Sequence, residues 1–505
     1  MTPATASVGD FEILLRSTDL IDGTPVGGLL APHLDDQGRI GIRSGSGLLL
    51  SEDGSTFVRL PTQPYASLDL FAGLRGEYLA FGGGTFVLPS IVNGSAKVQA
   101  SVSGTIALAE EGQPAPGGQI WGQSAFLSTD VNNAGTALFL AETNDGGAIP
   151  TGGAGFFTGD ANGVQQVLSF GETIDGITIS SFIFGSINDG GQIAFFADAG
   201  SDSGHYVLDG DDLRPIFTSQ TVTPSGIPVM EVVNGDFGPP SGAPSFNNAG
   251  EIAAYSLLGD AGGIVIGGGT RPDNVAEVVF GFGEILPDNR VVDPFFSDDS
   301  GTVAPPLNDV GQVVSAGTFR DVSDKTGLFV ASADEDLKFI AESGTPIPGN
   351  RPGVFGSFLE PLVSDNDRIT GSSPDEVRGS LVRGPFAIND AGQVAFQADV
   401  IGGNNPLDLG PLSRSGLFFW DEDLGLHTII APGDIIDGET VALVVFEGSD
   451  SFGGTGDDGL NDAGQVAFRY LTTDNNSYLG LWQIPEPATA SVVALTGLVL
   501  LRRRH

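Results

Sequence analysis

The chain has 505 residues, no cysteine and a formal net charge of −42, from 21 basic and 63 acidic side chains. This charge excludes a nucleic-acid binder and disfavours an anionic membrane surface, because both partners attract clustered Lys and Arg. Without cysteine, disulfides, thiolate metal sites and thiol nucleophiles are also excluded. The 76 glycines and 31 prolines favour many short strands joined by tight turns.

The N-terminal segment predicts how the fold closes. Residues 1–10 have neither the basic nor the apolar stretch of a secretory signal. We interpret them as a disordered start, and expect either that the upstream part of a signal region precedes the given start or that the chain uses another export route. The following FEILLRSTDLIDGTPVGG, residues 11–28, resembles LHTIIAPGDIIDG at 426–438. We therefore expect the N-terminal strand to complete the last repeat, which ends at LGLWQI after only three strands.

A nine-residue motif recurs along the chain, as INDAGQVAF at 388–396 and LNDAGQVAF at 460–468. Seven copies are clear, and a worn eighth lies at 76–81. An Asn or Asp in the first polar position suits an Asx-turn, and the glycine suits the positive φ of a G1-bulge hairpin. We interpret these residues as architectural. The seven glycines are Gly38, Gly135, Gly191, Gly250, Gly311, Gly392 and Gly464.

Each repeat contains a second pair of strands after this hairpin, as in SGLFFW followed by DEDLG and LHTII at 415–430. Four short strands per repeat, repeated radially, indicate a β-propeller. We predict an all-β propeller of four-stranded blades over residues 11–484. We prefer eight blades, with seven as the alternative, because a linear solenoid gives no reason for the split repeat.

Motifs that carry chemistry are absent from the sequence. No P-loop, HExxH, G-x-S-x-G or dinucleotide fingerprint occurs. We expect no catalytic, cofactor-binding or metal-binding residues, and no enzyme. The four histidines lack ligand spacing, so we expect surface or turn positions for His33, His205, His427 and His505. Calcium is the one alternative, at the Asp-rich turns 209–212 and 421–425, which lack the full spacing of an EF-hand loop.

The C-terminal segment, residues 485–505, reads IPEPATASVVALTGLVLLRRRH from Ile484 onward. The fourteen apolar residues 488–501 fall short of the ~20 that span a bilayer, yet the Arg cluster after them fits the positive-inside rule. Its three parts closely resemble the PEP-CTERM sorting signal, with a transmembrane helix. They are the triplet Pro485, Glu486 and Pro487, the apolar run, and the cluster Arg502, Arg503 and Arg504.

That resemblance implies export across the inner membrane of a Gram-negative-type bacterium, transient anchoring there, and processing of the tail by an exosortase. Proteins of this class are linked to the cell envelope, extracellular polysaccharide or biofilm. The repeats also resemble the NxxGxxAF tandem-repeat proteins of the choice-of-anchor kind, whose biochemical role is undefined. Asn occupies the first position of that motif in all copies but the first, which has Asp35. The matching residues are Asn132, Asn188, Asn247, Asn308, Asn389 and Asn461.

Together these features predict an exported, non-enzymatic protein of the cell surface or extracellular matrix. We expect its acidic face to bind glycans or surface proteins, and no nucleic acid. The alternative is a secreted polysaccharide hydrolase or lyase with its site at the propeller channel, since propellers host many activities.

Overall fold

The structure is a computed structural model. It describes residues 10–61, 80–82, 85–91, 95–122, 129–144, 153–231, 244–258, 261–294, 304–320, 322, 325–349, 351–358, 386–403, 415–446 and 459–484. Every structural statement below refers to these residues.

The first half of the chain consists of short strands with one 3₁₀ turn at Pro116–Gly118. The strands are β1 (Asp10–Arg16), β2 (Leu20–Ile21), β3 (Thr24–Pro25), β4 (Leu29–Leu34), β5 (Ile40–Ser44), β6 (Gly47–Ser51), β7 (Phe57–Arg59), β8 (Ala80–Gly82), β9 (Thr85–Ile91), β10 (Ser95–Ser101), β11 (Gly104–Glu110), β12 (Ile120–Trp121), β13 (Thr129–Val131), β14 (Ala137–Asn144), β15 (Ala154–Asp160), β16 (Gly163–Ser169), β17 (Thr173–Ile174), β18 (Ile177–Thr178), β19 (Ser181–Ile187) and β20 (Ile193–Asp198).

The second half continues in the same way after a 3₁₀ turn at Gly200–Asp202. Its strands are β21 (Gly204–Asp209), β22 (Asp212–Phe217), β23 (Val229–Glu231), β24 (Ser245–Phe246), β25 (Glu251–Leu258), β26 (Ala261–Gly268), β27 (Ala276–Gly281), β28 (Glu284–Ile285), β29 (Val291–Pro294), β30 (Val313–Phe319), β31 (Thr326–Ala331), β32 (Lys338–Glu342), β33 (Val354–Phe355), β34 (Phe386–Ile388), β35 (Val394–Ile401), β36 (Ser415–Asp421), β37 (Gly425–Ile430), β38 (Ile435–Ile436), β39 (Glu439–Val445), β40 (Gln465–Thr472) and β41 (Ser477–Gln483).

These strands form consecutive antiparallel sheets, which we number by chain order. Sheets 1 to 7 are β4–β7, β8–β11, β12–β16, β19–β22, β23–β27, β28–β32 and β33–β37, and sheet 8 is β38–β41 with β1. Two separate hairpins, β2–β3 and β17–β18, lie in the connections between sheets. In sheets 3, 5 and 7 the first strand is split into two pieces that pair with opposite ends of the second strand.

Both faces of sheet 3 are apolar because this sheet packs against sheets 2 and 4. Phe139 faces sheet 2 and packs with Trp121 and Leu108, whereas the adjacent Leu138 packs with Phe182 of sheet 4. This follows from the two-residue period of a strand, which sends successive side chains to opposite faces. Seven such cores join sheets 2 to 3 and onward through 8 to 1. The apolar runs of the repeats therefore form the contacts between blades.

The N-terminal strand closes the fold. β1 pairs antiparallel with β41, with Asp10 opposite Gln483 and Arg16 opposite Tyr478. Leu15 reaches the core shared by sheets 8 and 1, and Phe11 packs against the ring of Phe468 at 5.6 Å. The edge of sheet 8 is thus covered by a strand from the opposite end of the chain, which removes an open edge.

The connections between sheets include tight hairpins with the sequence Asp-Gly. Asp22 and Gly23 have φ of 53° and 74°, and Asp437 and Gly438 have φ of 51° and 86°. Two consecutive residues with positive φ are the requirement of a type I′ turn, and Asp-Gly is among its preferred pairs. The predicted likeness between the N-terminal segment and residues 426–438 therefore extends to the conformation of the turn.

The predicted all-β propeller, closed by the N-terminal strand, is confirmed. Seven sheets carry the repeated turn, and sheet 2 is a further four-stranded sheet that follows the first of them in the chain. Four residues of the worn copy, 76–79, lie outside the described residues, as do the start at 1–9 and the predicted sorting segment with Pro485, Glu486, Pro487, Arg502, Arg503 and Arg504. Within the described part of the chain, no helix is long and apolar enough to cross a membrane.

Candidate functional site

Each repeated turn has the same internal hydrogen bonds, here described for the copy at 389–393. The amide N–H of Gly392 donates to the carbonyl of Asn389 at 2.9 Å, and the Asn389 N–H donates to the carbonyl of Gln393. The Asn389 Oδ1 accepts the Gln393 N–H at 3.0 Å. Gly392 has φ of 75°, which a residue with a Cβ adopts only with strain. The seven turn glycines named above all have φ between 71° and 81°.

The first-position asparagines connect one turn to the next. Asn389 Nδ2 donates to the backbone carbonyl of Asn461 in the next turn at 2.9 Å, and also to Oε1 of Gln393 in the same turn at 2.8 Å. The same link between first positions runs from Asn132 to Asn188, Asn247, Asn308, Asn389, Asn461 and finally Asp35. The amide is therefore the group that the repeat requires, because it donates twice while its oxygen caps the turn.

The second-position residues form a parallel chain of links. The backbone N–H of each donates to the side-chain Oδ1 of the next, as from Asp462 to Asp36 at 3.1 Å. The successive members are Asn133, Asp189, Asn248, Asp309, Asp390, Asp462 and Asp36. We call these seven residues the turn ring. Because each turn comes directly before the corresponding strand of its sheet, the ring lies at one end of the propeller.

The first-position links end at Asp35, and its chemistry explains why. A carboxylate has no N–H, so Asp35 accepts the bond from Asn461 through its backbone carbonyl and has no side-chain N–H to donate onward. Its Oδ2 instead accepts from Arg39 Nε at 2.5 Å, and its Oδ1 accepts the Arg39 N–H at 2.8 Å. The departure from Asn in the first copy therefore coincides with the end of this chain of links.

Amide and carboxylate groups are unevenly distributed around the turn ring. Asp189 lies between two amides, and its Oδ2 accepts from Asn133 Nδ2 at 2.9 Å and from Asn248 Nδ2 at 3.3 Å. Asn248 Nδ2 also donates to Asp309 Oδ2 at 2.9 Å. The next three members, Asp390, Asp462 and Asp36, are also carboxylates, and no described side chain donates an amide N–H to them. We call Asp309, Asp390, Asp462 and Asp36 the carboxylate arc.

Burial and mutual repulsion make two members of the carboxylate arc, Asp36 and Asp390, harder to ionise. Desolvation, helped by the negative charges of Asp462, Asp390 and Asp35, raises the pKa of Asp36 to about 6. The hydrogen bond from the Asp462 N–H acts in the opposite direction and lowers this pKa, but does not cancel the increase. Desolvation, followed by repulsion from Asp309 and Asp462, likewise raises the pKa of Asp390. The arc is therefore an acidic surface in which the charge of Asp36 depends on pH near 6.

The two Asp-rich turns considered for calcium use their carboxylates within the blade. Asp421 Oδ1 accepts the N–H groups of Asp423 and Leu424, both at 2.9 Å, and its Oδ2 accepts from Gln393 Nε2. Asp209 Oδ2 accepts from Gln192 Nε2 at 2.8 Å in the same way. Among the described residues no group of three or more His, Cys, Asp or Glu is placed to hold a metal ion.

One histidine contradicts the expectation of surface or turn positions. His205 is only 4 % exposed and lies on β21 between the rings of Phe196 and Phe217, with centroid distances of 5.5 and 6.1 Å. The two-residue period of the strand turns it inward, which a lone histidine in the sequence does not reveal. His427 is half-buried and contacts the Leu424 carbonyl from Nε2 at 2.9 Å. His33 is also half-buried, and His505 lies outside the described residues.

The turn ring was not predicted as a unit from the sequence. Asp390 and Asp462 belong to turns that we interpreted as architectural, whereas the structure joins them to one another and to Asp36. The signal was present, since Asp or Asn recurs immediately after the first position in all seven copies. The repeated pattern does not show that the copies contact one another, as Asp462 and Asp36 do although they are 426 residues apart.

Several solved propeller-containing structures resemble the chain weakly. The β-propeller domain of the Trilobed protease from Pyrococcus furiosus is 10 % identical, with 82 % of this chain and 99 % of that one covered and a TM-score of 0.35. Prolyl oligopeptidase B from Galerina marginata is 10 % identical over 90 % of this chain, with a TM-score of 0.42, and this chain spans 55 % of that enzyme.

PorZ, a surface component of the type-IX secretion system of Porphyromonas gingivalis, is 11 % identical. The match covers 90 % of this chain and 69 % of that one, with a TM-score of 0.34. At such low identities and TM-scores none of these similarities bears on activity, and the propeller assignment rests on the strand pairing given above.

No curated protein matches the chain. One family model does, in two overlapping segments at residues 80–374 and 304–491, which together span most of the propeller. The chain therefore belongs to the Family of unknown function (DUF7453).

Proposed function

We propose that the protein is an exported, non-enzymatic propeller of the cell surface or extracellular matrix, and that the turn ring is its binding face for glycans or surface proteins. The observation that carries this proposal is the ring itself. Five of its seven members are aspartates, and they are gathered at one end of the fold by direct links between blades. A broad acidic face suits a partner that offers hydroxyl or cationic groups.

Export is supported by the C-terminal segment, which resembles a sorting signal in its order of Pro-Glu-Pro, apolar run and Arg cluster. Under this proposal the segment anchors a precursor in the inner membrane, an exosortase removes it, and the propeller is left in the cell envelope or matrix. The high negative charge suits a protein that must stay dispersed outside the cell.

Fractionation of the native host tests the localisation. Antibodies against the propeller and against residues 488–505 should give different results, with the propeller outside the inner membrane and without its Arg-bearing end. A variant with Pro485, Glu486 and Pro487 all replaced by Ala should accumulate in the membrane at full length. Full-length wild-type chain in the cytosol would contradict the proposal.

Binding is tested on a glycan array and by capture of envelope proteins, with a matched pair of double variants. Asp189→Asn with Asp309→Asn neutralises two members of the turn ring. Glu12→Gln with Glu284→Gln removes the same charge at two exposed positions on β1 and β28. We expect the first pair to weaken binding and the second to leave it unchanged. Equal effects would show that the ring is not the binding face.

The alternative, a polysaccharide hydrolase or lyase, is favoured by one observation. The pKa of Asp36 is raised to about 6, as in carboxyl groups that act as general acids. If this alternative holds, the protein cleaves a polysaccharide and Asp36→Asn abolishes the cleavage although the variant remains folded. Release of reducing or unsaturated ends from extracellular polysaccharide would be the measurement.

A further inference from the structure

The carboxylate arc crosses the junction at which the propeller closes. The link from the Asp462 N–H to Asp36 Oδ1 joins sheet 8 to sheet 1, and at 3.1 Å it is the longest of the second-position links. The parallel link from Asn461 Nδ2 to the Asp35 carbonyl is also 3.1 Å. β1 pairs with β41 within sheet 8, and its Leu15 packs into the apolar core that sheet 8 shares with sheet 1.

Like charges gather at this junction with little to oppose them. On sheet 1, Asp36 follows Asp35 in the chain. The nearby Arg39 guanidinium donates its hydrogen bonds to Asp35 Oδ2 and Gln37 Oε1. From sheets 8 and 7, Asp462 and Asp390 face it.

The far end of the arc has the same character. Beyond Asp390 comes Asp309 of sheet 6. The sheet 5 side offers Glu251, which lies near Gly311 and is paired with Arg271. Both cations named at the two ends of the arc, Arg39 and Arg271, are thus already bound to other carboxylates.

We propose that the carboxylate arc is a proton-dependent lock, which tightens the junction between sheets 8 and 1 in mildly acidic surroundings and loosens it as the pH rises. A protonated carboxyl removes one repulsion and gains an O–H donor that a neighbouring carboxylate accepts. The carboxyls of Asp390 and Asp462 are close enough to share such a bond. The inference concerns the stability of the ring and holds whether or not the ring is a binding face.

The direction of the effect follows from proton linkage. In the folded state the pKa of Asp36 is about 6, above its ordinary value of 3.8. Between these two pH values the folded chain binds more protons than the unfolded chain, so stability falls as the pH rises. The contribution is fully present below pH 4 and is lost as the pH rises through 6.

The alternation of amides and carboxylates elsewhere in the turn ring indicates which substitutions should remove the effect. The ring neighbours of Asp189 are amides that donate to its Oδ2, whereas the ring neighbours of Asp390 are the carboxylates of Asp309 and Asp462. The double variant Asp36→Asn with Asp390→Asn extends that alternation through the arc and keeps an Oδ1 to accept each backbone N–H. The control is Asp189→Asn, the same chemical change at a place where no two carboxylates adjoin.

The test compares the melting temperature of parent and variants from pH 4.5 to 8. We expect the double variant to melt higher than the parent at pH 8, by about 2 °C or more, with the gap closing toward pH 4.5. The control should show no such pH-dependent gap. A gap of constant size at every pH, or a double variant that melts lower at pH 8, would overturn the proposal.

Hydrogen exchange locates the effect and covers the case in which the double variant folds poorly. In the parent, peptides of β1 and β41 should exchange faster at pH 8 than at pH 5.5 after correction for intrinsic rates, while β26 should not change. Added salt at pH 8 should slow exchange in β1 and β41, because it screens the repulsion. A change in exchange between the two pH values that had the same size in every sheet would overturn the proposal.

Discussion

Asn461 Nδ2 donates a hydrogen bond to the backbone carbonyl of Asp35, a residue 426 positions away in the sequence, at 3.1 Å. The same nitrogen donates to Gln465 Oε1 at 2.9 Å, so one amide both completes its own turn and joins the last sheet to the first. Asn461 has no exposed surface. The link repeats at five other junctions, which makes the asparagine amide the connector of the ring.

Replacing Asn461 tests this role. Asn461→Ala removes the amide and should lower the free energy of unfolding by about 1–3 kcal/mol, because the Gln465 N–H loses its side-chain acceptor and the Asp35 carbonyl and Gln465 Oε1 each lose a donor. Asn461→Asp should cost more, since it adds a buried negative charge beside the Asp35 carbonyl. Chemical denaturation of both variants measures the difference. If Asn461→Asp were as stable as the parent, the connector role would be wrong.

Two leucines near the N-terminus test whether β1 closes the fold, because one of them is buried and the other is exposed. Leu15 is 5 % exposed and belongs to the core between sheets 8 and 1, whereas Leu20 is 65 % exposed on a connecting hairpin. Leu15→Ala should destabilise the protein by about 2–4 kcal/mol through loss of buried surface and the cavity left behind. Leu20→Ala should change the stability by less than about 0.5 kcal/mol. Equal losses would mean that β1 does not close the fold.

The turn glycines are tested by one substitution and a matched control. Gly392 has φ of 75°, and an added Cβ would lie 2.9 Å from Gln312 Oε1. Gly392→Ala should therefore cost about 1–2 kcal/mol, mainly for the left-handed backbone, and Gly392→Val more. Gly153→Ala is the control, because that glycine has no positive φ and nothing within 4 Å of an added Cβ. We expect no loss of stability there. Thermal unfolding of the variants provides the measurement.

Much of the architecture is predictable from the sequence because it depends on local chemistry repeated many times. The Asn and Gly of each turn, and the apolar pairs such as Val394 and Phe396, specify a hairpin without any knowledge of its neighbours. The split last repeat indicates closure for the same reason, since its missing strand is visible at 11–16.

The turn ring and the buried polar groups are not predictable in this way. They arise from contacts between repeats, such as Asp462 with Asp36, and no local pattern encodes which carboxylates meet. The same holds for His205, whose burial depends on rings supplied by β20 and β22. The local sequence pattern therefore predicts the strands of each blade, whereas the polar contacts between blades depend on how the whole ring closes.

A buried lysine in sheet 2 gives a prediction with the opposite pH dependence from that of Asp36. Lys97 on β10 has no exposed surface, and burial lowers the pKa of its amine to about 7, from a usual value of 10.5. Between pH 7 and 10 the unfolded chain binds more protons than the folded one, so the stability attributable to this group rises with pH. Below pH 7 the folded protein must hold a buried charge.

Lys97→Met keeps the length of the side chain and removes the charge. We expect it to raise the free energy of unfolding by at least about 1 kcal/mol at pH 6, with a smaller gain at pH 9.5, where the native amine is already neutral. Lys338→Met serves as the control, because Lys338 is paired with Glu335 and Glu422 on the surface and its pKa is raised. That variant should show no gain at pH 6. If Lys97→Met destabilised the protein equally at both pH values, the amine would be a structural hydrogen-bond donor, and its burial would not be a cost that depends on protonation.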